Sequence, residues 1–441
     1  MTRSLFHFVI LLLGLGAVAS GSLRGAVSLG IDELEKSNFA MLQGKRVGLI
    51  TNPSGADSKG HSAIDVLYHG AASGKYTLVR LFGPEHGIDG LTPAGDYVAG
   101  SRDRKTGLPV YSLYGDTRQP TPEMLEGLDA LVFDVQDLGN RSYTFISTLG
   151  LAMDEAAKCH VEMIVLDRPN PLGGVRIEGP RLDPAVKSFV GQYDIPIVYG
   201  LTPGELAQWI NAKFLAQPCR LTVVPMRGWT RQMVWEDTGL KWIPTSPNIP
   251  TIGAARGYTA TGFLGEIGIE SGIGSAYPFQ IISGRGWDTS ELAARFNALH
   301  IPGVYAKPYD YTTSGGKWSG SEYQGIFLRI DPRNAGNLTG ISLQSIEILR
   351  QSVSDFTPFA RTSADQRQMF DKVTGTTTIR RQLLAGRPVS DMMRSWNGGV
   401  ARWAVERQPY LIYGSKPLHQ GETVTSTSPP QGGTMTSASL P

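Results

Sequence analysis

A glutamate and a histidine stand side by side in a segment that favours a sharp turn, GPEHG at 83–87. Its two glycines allow a tight turn and its proline stiffens the loop, so Glu85 and His86 would be presented to a ligand. A carboxyl held near apolar walls has a raised pKa, which suits it to proton donation. Glu85 is therefore a candidate general acid, and His86 a candidate to orient it or bind substrate. The structural alternative for Glu85 is a helix cap or an ion pair with Arg141.

A second group of polar residues lies in DVQDLGNRSYT at 134–144. An arginine could form two parallel hydrogen bonds to a substrate carboxylate, while carboxyl and amide groups bind hydroxyls. The candidates in this segment are Asp134, Gln136, Asp137, Asn140, Arg141 and Tyr143. The structural alternative is an ion pair between Asp137 and Arg141. A divalent metal held by Asp134, Asp137 and His86 is a further alternative.

Two more polar clusters follow predicted strands, Thr51-Asn52-Pro53 and DRPNP at 167–171. Their candidate ligands are Asn52, Asp167, Arg168 and Asn170. One such cluster is typical of a turn or a helix cap. Four in succession predict a shared crevice, because the loops beyond the carboxyl ends of parallel strands converge.

Short apolar runs that alternate with helical stretches must position these clusters. The predicted strands are 47–50, 78–82, 130–135, 162–166, 195–199 and 221–224. The predicted helices are 61–72, 122–127, 146–159 and 203–215, the last with a capping box of Thr202 and Glu205 and with Pro203 in its first turn. Continuous apolarity indicates strands buried on both faces, hence a largely parallel sheet flanked by helices. The pattern predicts a Rossmann-like α/β domain over 24–250.

The character of the chain changes after the proline-rich stretch 244–250. The pattern there predicts a smaller α+β domain over 251–417. Its predicted elements are a strand at 325–330 and helices at 288–299, 341–353, 363–371, 376–385 and 388–396. The segment 418–441 has almost nothing to bury, so we expect a disordered tail.

Composition and missing motifs exclude several classes of protein. The 441 residues carry a net charge of +2, which does not favour nucleic acid as a partner. Two cysteines, Cys159 and Cys219, are too few for a disulfide scaffold, and either pair or stay as thiols. No GxGxxG follows the first strand, and no P-loop, GxSxG or HExxH occurs. We therefore predict no cofactor; the oligomeric state stays open.

The N-terminus carries the marks of a signal peptide. Arg3 precedes an apolar run over 5–18, and small residues permit cleavage after Ala19. No cysteine follows the run, so no lipid anchor is expected, and the run is short for a membrane span. We predict a signal peptide at 1–19, no stable membrane anchor, and export to a periplasm or to the outside of the cell.

Seven ordered motifs, together with C-terminal segments at 380–396 and 410–414, resemble the DUF1343 family of exo-β-N-acetylmuramidases. These motifs are GLITNPSG at 48–55, LFGPEHGIDG at 81–90, PVYSLYG at 109–115, FDVQDLGNRSYTF at 133–145, LDRPNPLGG at 166–174, YGLTPGELA at 199–207 and WIPTSPNIPT at 242–251. The family trims N-acetylmuramic acid from the non-reducing end of peptidoglycan fragments. The resemblance implies a cleft between a Rossmann-like domain and a smaller domain, with Glu85 catalytic and peptidoglycan-derived amino sugars or muropeptides as the ligands.

The resemblance also implies roles for other residues. Glycoside hydrolysis uses two carboxyl groups or one carboxyl with help from the substrate's acetamido group, so Asp134 or Asp137 could be the second carboxyl. The lactyl carboxylate of muramic acid would pair with Arg141 or Arg168. Asn248 and Glu270 lie in family segments and complete the predicted substrate-binding residues. The alternatives are a non-catalytic glycan-binding protein and a metal-dependent cell-wall hydrolase.

The segment IGIESGIGSAYPFQ at 267–280 departs from the family pattern TNxSEGRGTxxPFE. Ile273 replaces an arginine, Ser275 a threonine and Gln280 a glutamate. The loss of an arginine would weaken a carboxylate contact. Glu266 and Glu270 either compensate or are ordinary loop charges.

Overall fold

The structure, a computed structural model, describes residues 26–314, 319–354, 356–416 and 418. The predicted signal peptide and all of the predicted tail except Leu418 lie outside these residues. Within the described residues, no helix combines the length and apolarity needed to cross a membrane.

Strands and helices alternate along most of the chain. The strands are β1 (Arg46–Thr51), β2 (Thr77–Gly83), β3 (Ser101–Arg102), β4 (Pro109–Ser112), β5 (Ala130–Asp134), β6 (Glu162–Leu166), β7 (Glu178–Arg181), β8 (Pro196–Val198), β9 (Leu221–Val224), β10 (Ile281–Gly284), β11 (Val304–Thr312) and β12 (Glu322–Ile330). The α-helices are α1 (Gly30–Lys36), α2 (Ala63–Ala71), α3 (Pro122–Leu125), α4 (Phe145–Lys158), α5 (Pro203–Lys213), α6 (Ile252–Thr261), α7 (Thr289–Asn297), α8 (Leu338–Ser352), α9 (Ala364–Thr374), α10 (Thr377–Leu384), α11 (Val389–Ser395) and α12 (Asn397–Glu406).

The first sheet has seven strands in the order β3-β4-β2-β1-β5-β6-β9. Every neighbouring pair is parallel except β3 with β4. The predicted Rossmann-like, largely parallel sheet is therefore confirmed. The chain builds outward from β1 through β2 and then returns to place β5 on the other side of β1. Such a reversal opens a crevice at the carboxyl ends of the strands.

Both faces of this sheet are buried, and this explains the continuous apolarity of its strands. In β5, Leu131 and Phe133 belong to the core that includes α4 and α5. Ala130 and Val132 belong to the opposite core, which includes α1 and α2. Successive side chains of a strand point to opposite faces, so a two-sided strand contains no polar alternation.

One predicted strand does not belong to the parallel sheet. The segment predicted at 195–199 forms β8, which pairs antiparallel with β7 in a separate two-stranded sheet. Ile195 and Tyr199 lie in the first core, whereas Ile197 and Val198 lie in the core of the second half of the chain. The segment is apolar throughout because it lies between two cores.

The second half of the chain contains an antiparallel sheet, β10-β12-β11. Helices α7 and α8 pack on one of its faces, and the five predicted helices are present as α7 to α11 with shifted ends. Helix α6 was not predicted, because its glycines and threonines have low helix propensity. The last helix returns to the first core, where Trp403 packs against Trp209 with ring centroids 5.0 Å apart. The predicted domain limits stay predictions.

Candidate active site

Glu85 lies on a tight turn directly after β2. The turn includes His86 at a φ of 72° and Gly87 at 79°, the left-handed region that glycine tolerates. Glu85 is buried, with 9% of its surface exposed to solvent. Its Oε1 accepts a hydrogen bond from the Gly95 N–H at 3.0 Å, and its Oε2 accepts one from the Thr144 hydroxyl at 2.5 Å. Two donors from different segments thus fix both carboxyl oxygens.

A tyrosine and an arginine from the loop after β4 complete this side of the site. Burial, and then the charge and hydrogen bonding of Glu85, raise the pKa of Tyr114 to about 12. The Arg118 guanidinium lies 3.5 Å from the centre of the Tyr114 ring. Its Nη1 is buried and has no hydrogen-bond partner among the described atoms. A buried donor without a partner is costly, and a ligand acceptor would satisfy it.

Helix α6 brings a second tyrosine toward Glu85 from the other half of the chain. Tyr258 lies 3.1 Å from the Ser142 hydroxyl, measured between the two oxygens. Its pKa rises to about 12, chiefly because of burial and also because of the negative charges of Glu85, Glu266 and Asp137. The Tyr258 hydroxyl therefore lies within the electrostatic influence of three carboxyl groups.

Asp137 is the second predicted carboxyl that stays near this site. Its Oδ2 accepts hydrogen bonds from the Tyr199 hydroxyl and from the Gly139 N–H. Its Oδ1 is buried and has no hydrogen-bond partner among the described atoms. Burial raises the pKa of Asp137 to about 6, against an ordinary value of 3.8. The group is poised to exchange a proton near neutral pH.

Asp134 takes part in a buried ion pair, and its predicted catalytic role stays a prediction. Arg168 donates to Oδ1 of Asp134 at 2.5 Å and to Oδ2 at 2.9 Å, and both side chains are buried. Arg168 also donates to the Ala56 carbonyl. This buried ion pair with two hydrogen bonds gives both side chains a structural partner, which does not favour Asp134 as catalyst or Arg168 as substrate ligand.

Arg141 also has structural partners, and its predicted contact with substrate stays a prediction. Its side chain is 0% exposed, and it donates to the carbonyls of Pro180, Ile195 and Thr374. Burial lowers its pKa to about 9. The guanidinium donates to backbone carbonyls and not to the carboxyl of Asp137 or Glu85, so the two ion pairs predicted as alternatives for Arg141 are wrong.

Four further predicted ligands use their polar atoms mainly within the protein. Asp167 accepts hydrogen bonds from Thr202 and Tyr413, and Asn170 bonds backbone of its own turn and Leu201. Asn52 bonds Ser54 and Thr245, and the Tyr143 hydroxyl donates to Thr245 at 2.8 Å. These residues shape the strand-end loops that hold the site, and substrate contact through them stays a prediction.

Three further predicted residues are Gln136, His86 and Asn248. The Gln136 amide donates to the Asp137 and Pro169 carbonyls, and its buried Oε1 has no partner among the described atoms. His86 Nδ1 lies 2.7 Å from the Thr92 carbonyl, which fixes the loop that carries Gly95. Asn248 is half-buried.

In the divergent loop, the backbone of Glu270 pairs with Ser283, and burial raises the pKa of its carboxyl. Gln280, at the family's glutamate position, packs against Gly253, where an added Cβ would lie 2.4 Å from Oε1 of Gln280. Burial also raises the pKa of Glu266. The negative charge of Glu266 is one of those that raise the pKa of Tyr258.

The predicted alternative metal ligands do not converge. In the described part of the chain, the acidic or histidine triad whose ligand atoms come within 4.8 Å is Asp32, Glu35 and Asp57, on the α1 side of the sheet. Asp134 is held by Arg168 instead. Both cysteines, Cys159 and Cys219, are free thiols.

Sequence reasoning missed Thr144, Tyr114, Ser142 and Tyr258 as parts of this site. Thr144 and Ser142 lie in the segment 134–144, and Tyr114 in the motif 109–115, so the signal was present but was not assigned to single residues. Tyr258 gave no signal, because it reaches the site on the helix that was not predicted.

Comparison with known proteins places this site in a family. Residues 47–253 match the family described as exo-beta-N-acetylmuramidase NamZ, N-terminal, and residues 256–413 match its C-terminal counterpart. The chain is 38% identical to the peptidoglycan beta-N-acetylmuramidase NamZ of Bacillus subtilis (strain 168), over 94% of this chain and 100% of the relative.

Two crystal structures of DUF1343 family proteins from Bacteroides fragilis NCTC 9343 have the same fold. One is 41% identical with a TM-score of 0.80, and the match covers 88% of this chain and 99% of that one. The other is 26% identical with a TM-score of 0.66 at the same coverage.

Proposed function

The chain belongs to the exo-β-N-acetylmuramidase NamZ family, is a peptidoglycan glycoside hydrolase by that membership, and we propose that it removes terminal N-acetylmuramic acid from the non-reducing end of peptidoglycan fragments. Glu85 is the proposed catalytic carboxyl. The observation that carries the proposal is the fixed position of Glu85, which accepts hydrogen bonds from Gly95 and Thr144 and lies near Tyr114 and Tyr258.

Glu85 acts by donating a proton to the glycosidic oxygen. The bond between that oxygen and the anomeric carbon breaks, and the leaving sugar departs as an alcohol. Water adds to the anomeric carbon and gives up a proton to a carboxylate of the site, so that Glu85 is protonated again at the end of the cycle. The positive charge that develops on the sugar ring needs a negative or nucleophilic partner. Asp137 supplies it in one route, and the substrate's own acetamido oxygen supplies it in the other. Asp134 has no place in either route, because Arg168 occupies it.

Arg118 takes the role that the sequence analysis gave to Arg141 or Arg168. Muramic acid differs from glucosamine by a lactyl group with a carboxylate, and a guanidinium binds a carboxylate with two parallel hydrogen bonds. Arg118 stacks on Tyr114, which bonds Glu85, and its buried Nη1 has no described partner. A lactyl carboxylate at this position would satisfy that nitrogen.

Export of the protein is part of the proposal. The charged start, apolar run and small residues before Ser20 support a cleaved signal peptide. Expression in a bacterial host followed by cell fractionation tests it. A mature chain that begins at Ser20 outside the cytoplasm supports export, and an uncleaved cytoplasmic chain contradicts it.

The test of activity uses a chromogenic β-N-acetylmuramide, the matching glucosaminide and the purified chain from Ser20 onward. We expect release from the muramide, and a loss of roughly 1000-fold or more in Glu85→Gln. Glu291→Gln, an exposed carboxyl on α7, is the matched control and should retain activity. Full activity of Glu85→Gln would refute the catalytic assignment.

Arg118→Met extends the same experiment to the sugar. It should lower kcat/KM for the muramide and leave the glucosaminide almost unchanged, because only the muramide carries the carboxylate. Equal losses on both sugars would contradict the lactyl contact. If neither sugar is turned over while peptidoglycan fragments still bind, the protein is a glycan-binding relative rather than an enzyme.

A further inference from the structure

The outer face of the sheet β10-β12-β11 carries an unusual set of aromatic side chains. The inner face is an ordinary core, with Ile282, Ile326 and Leu328 packed among α7 and α8. The strand register brings Tyr311 opposite Tyr323 and Lys307 opposite Phe327 on the other face. We call this surface the tyrosine face; its aromatic residues are Tyr277, Tyr305, Tyr309, Tyr311, Tyr323 and Phe327.

Five of the six rings of the tyrosine face form a continuous series of ring contacts, and the face is partly exposed to solvent, although Tyr323 is buried. Tyr277 lies 5.5 Å from Tyr309 and 4.8 Å from Phe327, measured between ring centroids. Tyr311 stacks on Tyr323 at 5.6 Å. Tyr277 is 40% exposed and Tyr305 is 59% exposed. Large rings left partly exposed in a continuous set mark an interaction surface more often than scattered ones do.

The charges on this face are basic. Arg285 lies 5.5 Å from the centre of the Tyr323 ring, and Lys307 lies 5.2 Å from that of Phe327. Arg329 pairs in register with Tyr305 at the far end. The outward positions of the three strands hold no aspartate or glutamate among the described residues. Glu270 in the adjoining loop is an acidic neighbour of Arg285, whose positive charge partly offsets the rise in the pKa of Glu270 that burial causes.

The tyrosine face is continuous with the candidate active site. The Tyr311 hydroxyl lies 3.0 Å from that of Ser283, whose backbone pairs with Glu270 in the divergent loop. Tyr277 belongs to that same loop. Two residues later, Phe279 packs against Tyr258 with ring centroids 5.1 Å apart. Burial and the negative charge of Glu85 both raise the pKa of Tyr258. The divergent loop therefore connects the tyrosine face with the surroundings of Glu85 through a short series of contacts.

We propose that the tyrosine face binds the saccharide chain on the leaving-group side of the bond that is cut. The proposal rests on the proposed function, since an enzyme that removes a terminal sugar must hold the remaining chain outside its cleft. Aromatic rings offer flat apolar surface to the C–H faces of pyranose rings. Arg285, Lys307 and Arg329 match the carboxylates that muramic acid and its peptides carry at intervals along the chain.

The experiment compares a short and a long substrate. Tyr277→Ala combined with Tyr309→Thr removes two partly exposed rings at the centre of the face, and threonine keeps the β-strand preference of position 309. We expect KM for soluble multi-disaccharide peptidoglycan fragments to rise about tenfold, the usual size for a central aromatic contact. Hydrolysis of the chromogenic muramide should be unchanged, because that substrate has no chain to hold. Tyr68→Ala, which is 41% exposed on α2, is the control.

A second measurement keeps this proposal separate from the proposed function. Co-sedimentation with purified peptidoglycan sacculi reports binding whether or not the protein cuts the bond. Weaker sedimentation of the double variant, with an unchanged melting temperature, supports the tyrosine face. Equal KM values on long fragments and equal sedimentation overturn it. A shift of the wild type from dimer to monomer in the variant also overturns it, since the face would then join two copies of the chain.

Discussion

At the scale of single residues, the position of Glu85 depends on one hydroxyl group from another segment. Thr144→Val removes the donor to Oε2 of Glu85 and keeps the shape of the side chain. We expect kcat to fall by roughly 10- to 100-fold, because the Glu85 carboxyl is no longer held in one orientation. KM should change little, because substrate binding does not depend on this hydrogen bond. Steady-state kinetics on the chromogenic muramide measures this.

Helix α4 offers a matched control for that substitution. Thr148 is buried in the same helix, and its hydroxyl has no hydrogen-bond partner among the described atoms. Thr148→Val should therefore keep full activity and leave stability equal or higher. Similar losses in the two valine variants would show that Thr144 acts only through packing.

Asp137 makes stability depend on pH. Its pKa is raised to about 6 by burial, so the folded protein holds this proton more tightly than the unfolded chain does. This contribution to the free energy of unfolding is present below pH 4 and is lost as pH rises through about 6. Asp137→Asn removes the titration, so the variant should gain stability relative to the wild type as pH rises from about 4 to about 6, and the difference should level off above that range.

Urea unfolding of both proteins between pH 4 and pH 8 measures that difference. Burial raises the pKa of Asp167 to about 7. This residue is present in both proteins, so its contribution to the pH dependence cancels in the stability difference. A stability difference that stays constant over this range would contradict the shifted carboxyl. Kinetics of the same variant separates the catalytic routes, since little loss of kcat favours the acetamido group over Asp137.

At the scale of elements, the loop after β5 depends on close packing with the loop after β6. Gly139 has a φ of 74°, and an added Cβ would lie 2.2 Å from Oδ1 of Asn170. Asn170 cannot move aside easily, because it bonds Leu172 and Leu201. Gly139→Ala should destabilise the protein by roughly 3 kcal/mol and reduce activity, since both loops shape the site.

Gly107 separates backbone strain from crowding. It has a similar φ of 72°, but an added Cβ there meets nothing within 4 Å. Gly107→Ala should cost only about 1 kcal/mol, the price of the left-handed conformation. Thermal and urea unfolding of both variants compares them, and equal losses would show that the contact with Asn170 is not the cause.

At the scale of the whole molecule, Arg141 ties the first sheet to the end of α9. Its three donors reach carbonyls at Pro180, Ile195 and Thr374, and the last is 233 positions away along the chain. Arg141→Met leaves these carbonyls without that donor, and removal of a desolvated charge offsets part of the cost. We expect a loss of roughly 2–3 kcal/mol in the free energy of unfolding.

The kinetics of this variant distinguishes a structural arginine from a ligand. Assayed well below its melting temperature, Arg141→Met should bind the muramide with a nearly unchanged KM. Arg118→Met should show the opposite pattern, with normal stability and impaired use of the muramide. A large KM effect at Arg141 with normal stability would restore its predicted role as a ligand.

The sequence by itself determined the local structure of this protein and the position of its key carboxyl. The six strands predicted between residues 47 and 224 all lie near their predicted positions, and the capping box of Thr202 and Glu205 is present as predicted. Glu85 follows β2 on a strained turn as its neighbours indicated. These features depend on residues a few positions apart, so periodicity and turn chemistry are sufficient to reveal them.

Only the tertiary structure decided which polar residues are free to act. Asp134, Arg141 and Arg168 look like site residues in the sequence because each lies at or just beyond the end of a strand. Asp134 pairs with Arg168, 34 positions away, and Arg141 donates to the Thr374 carbonyl, 233 positions away, so the fold gives each of them a structural partner. Thr144, Arg118 and Tyr258 gained their proposed roles in the same way. A buried polar group must find a partner, and folding rather than local sequence determines which one it meets.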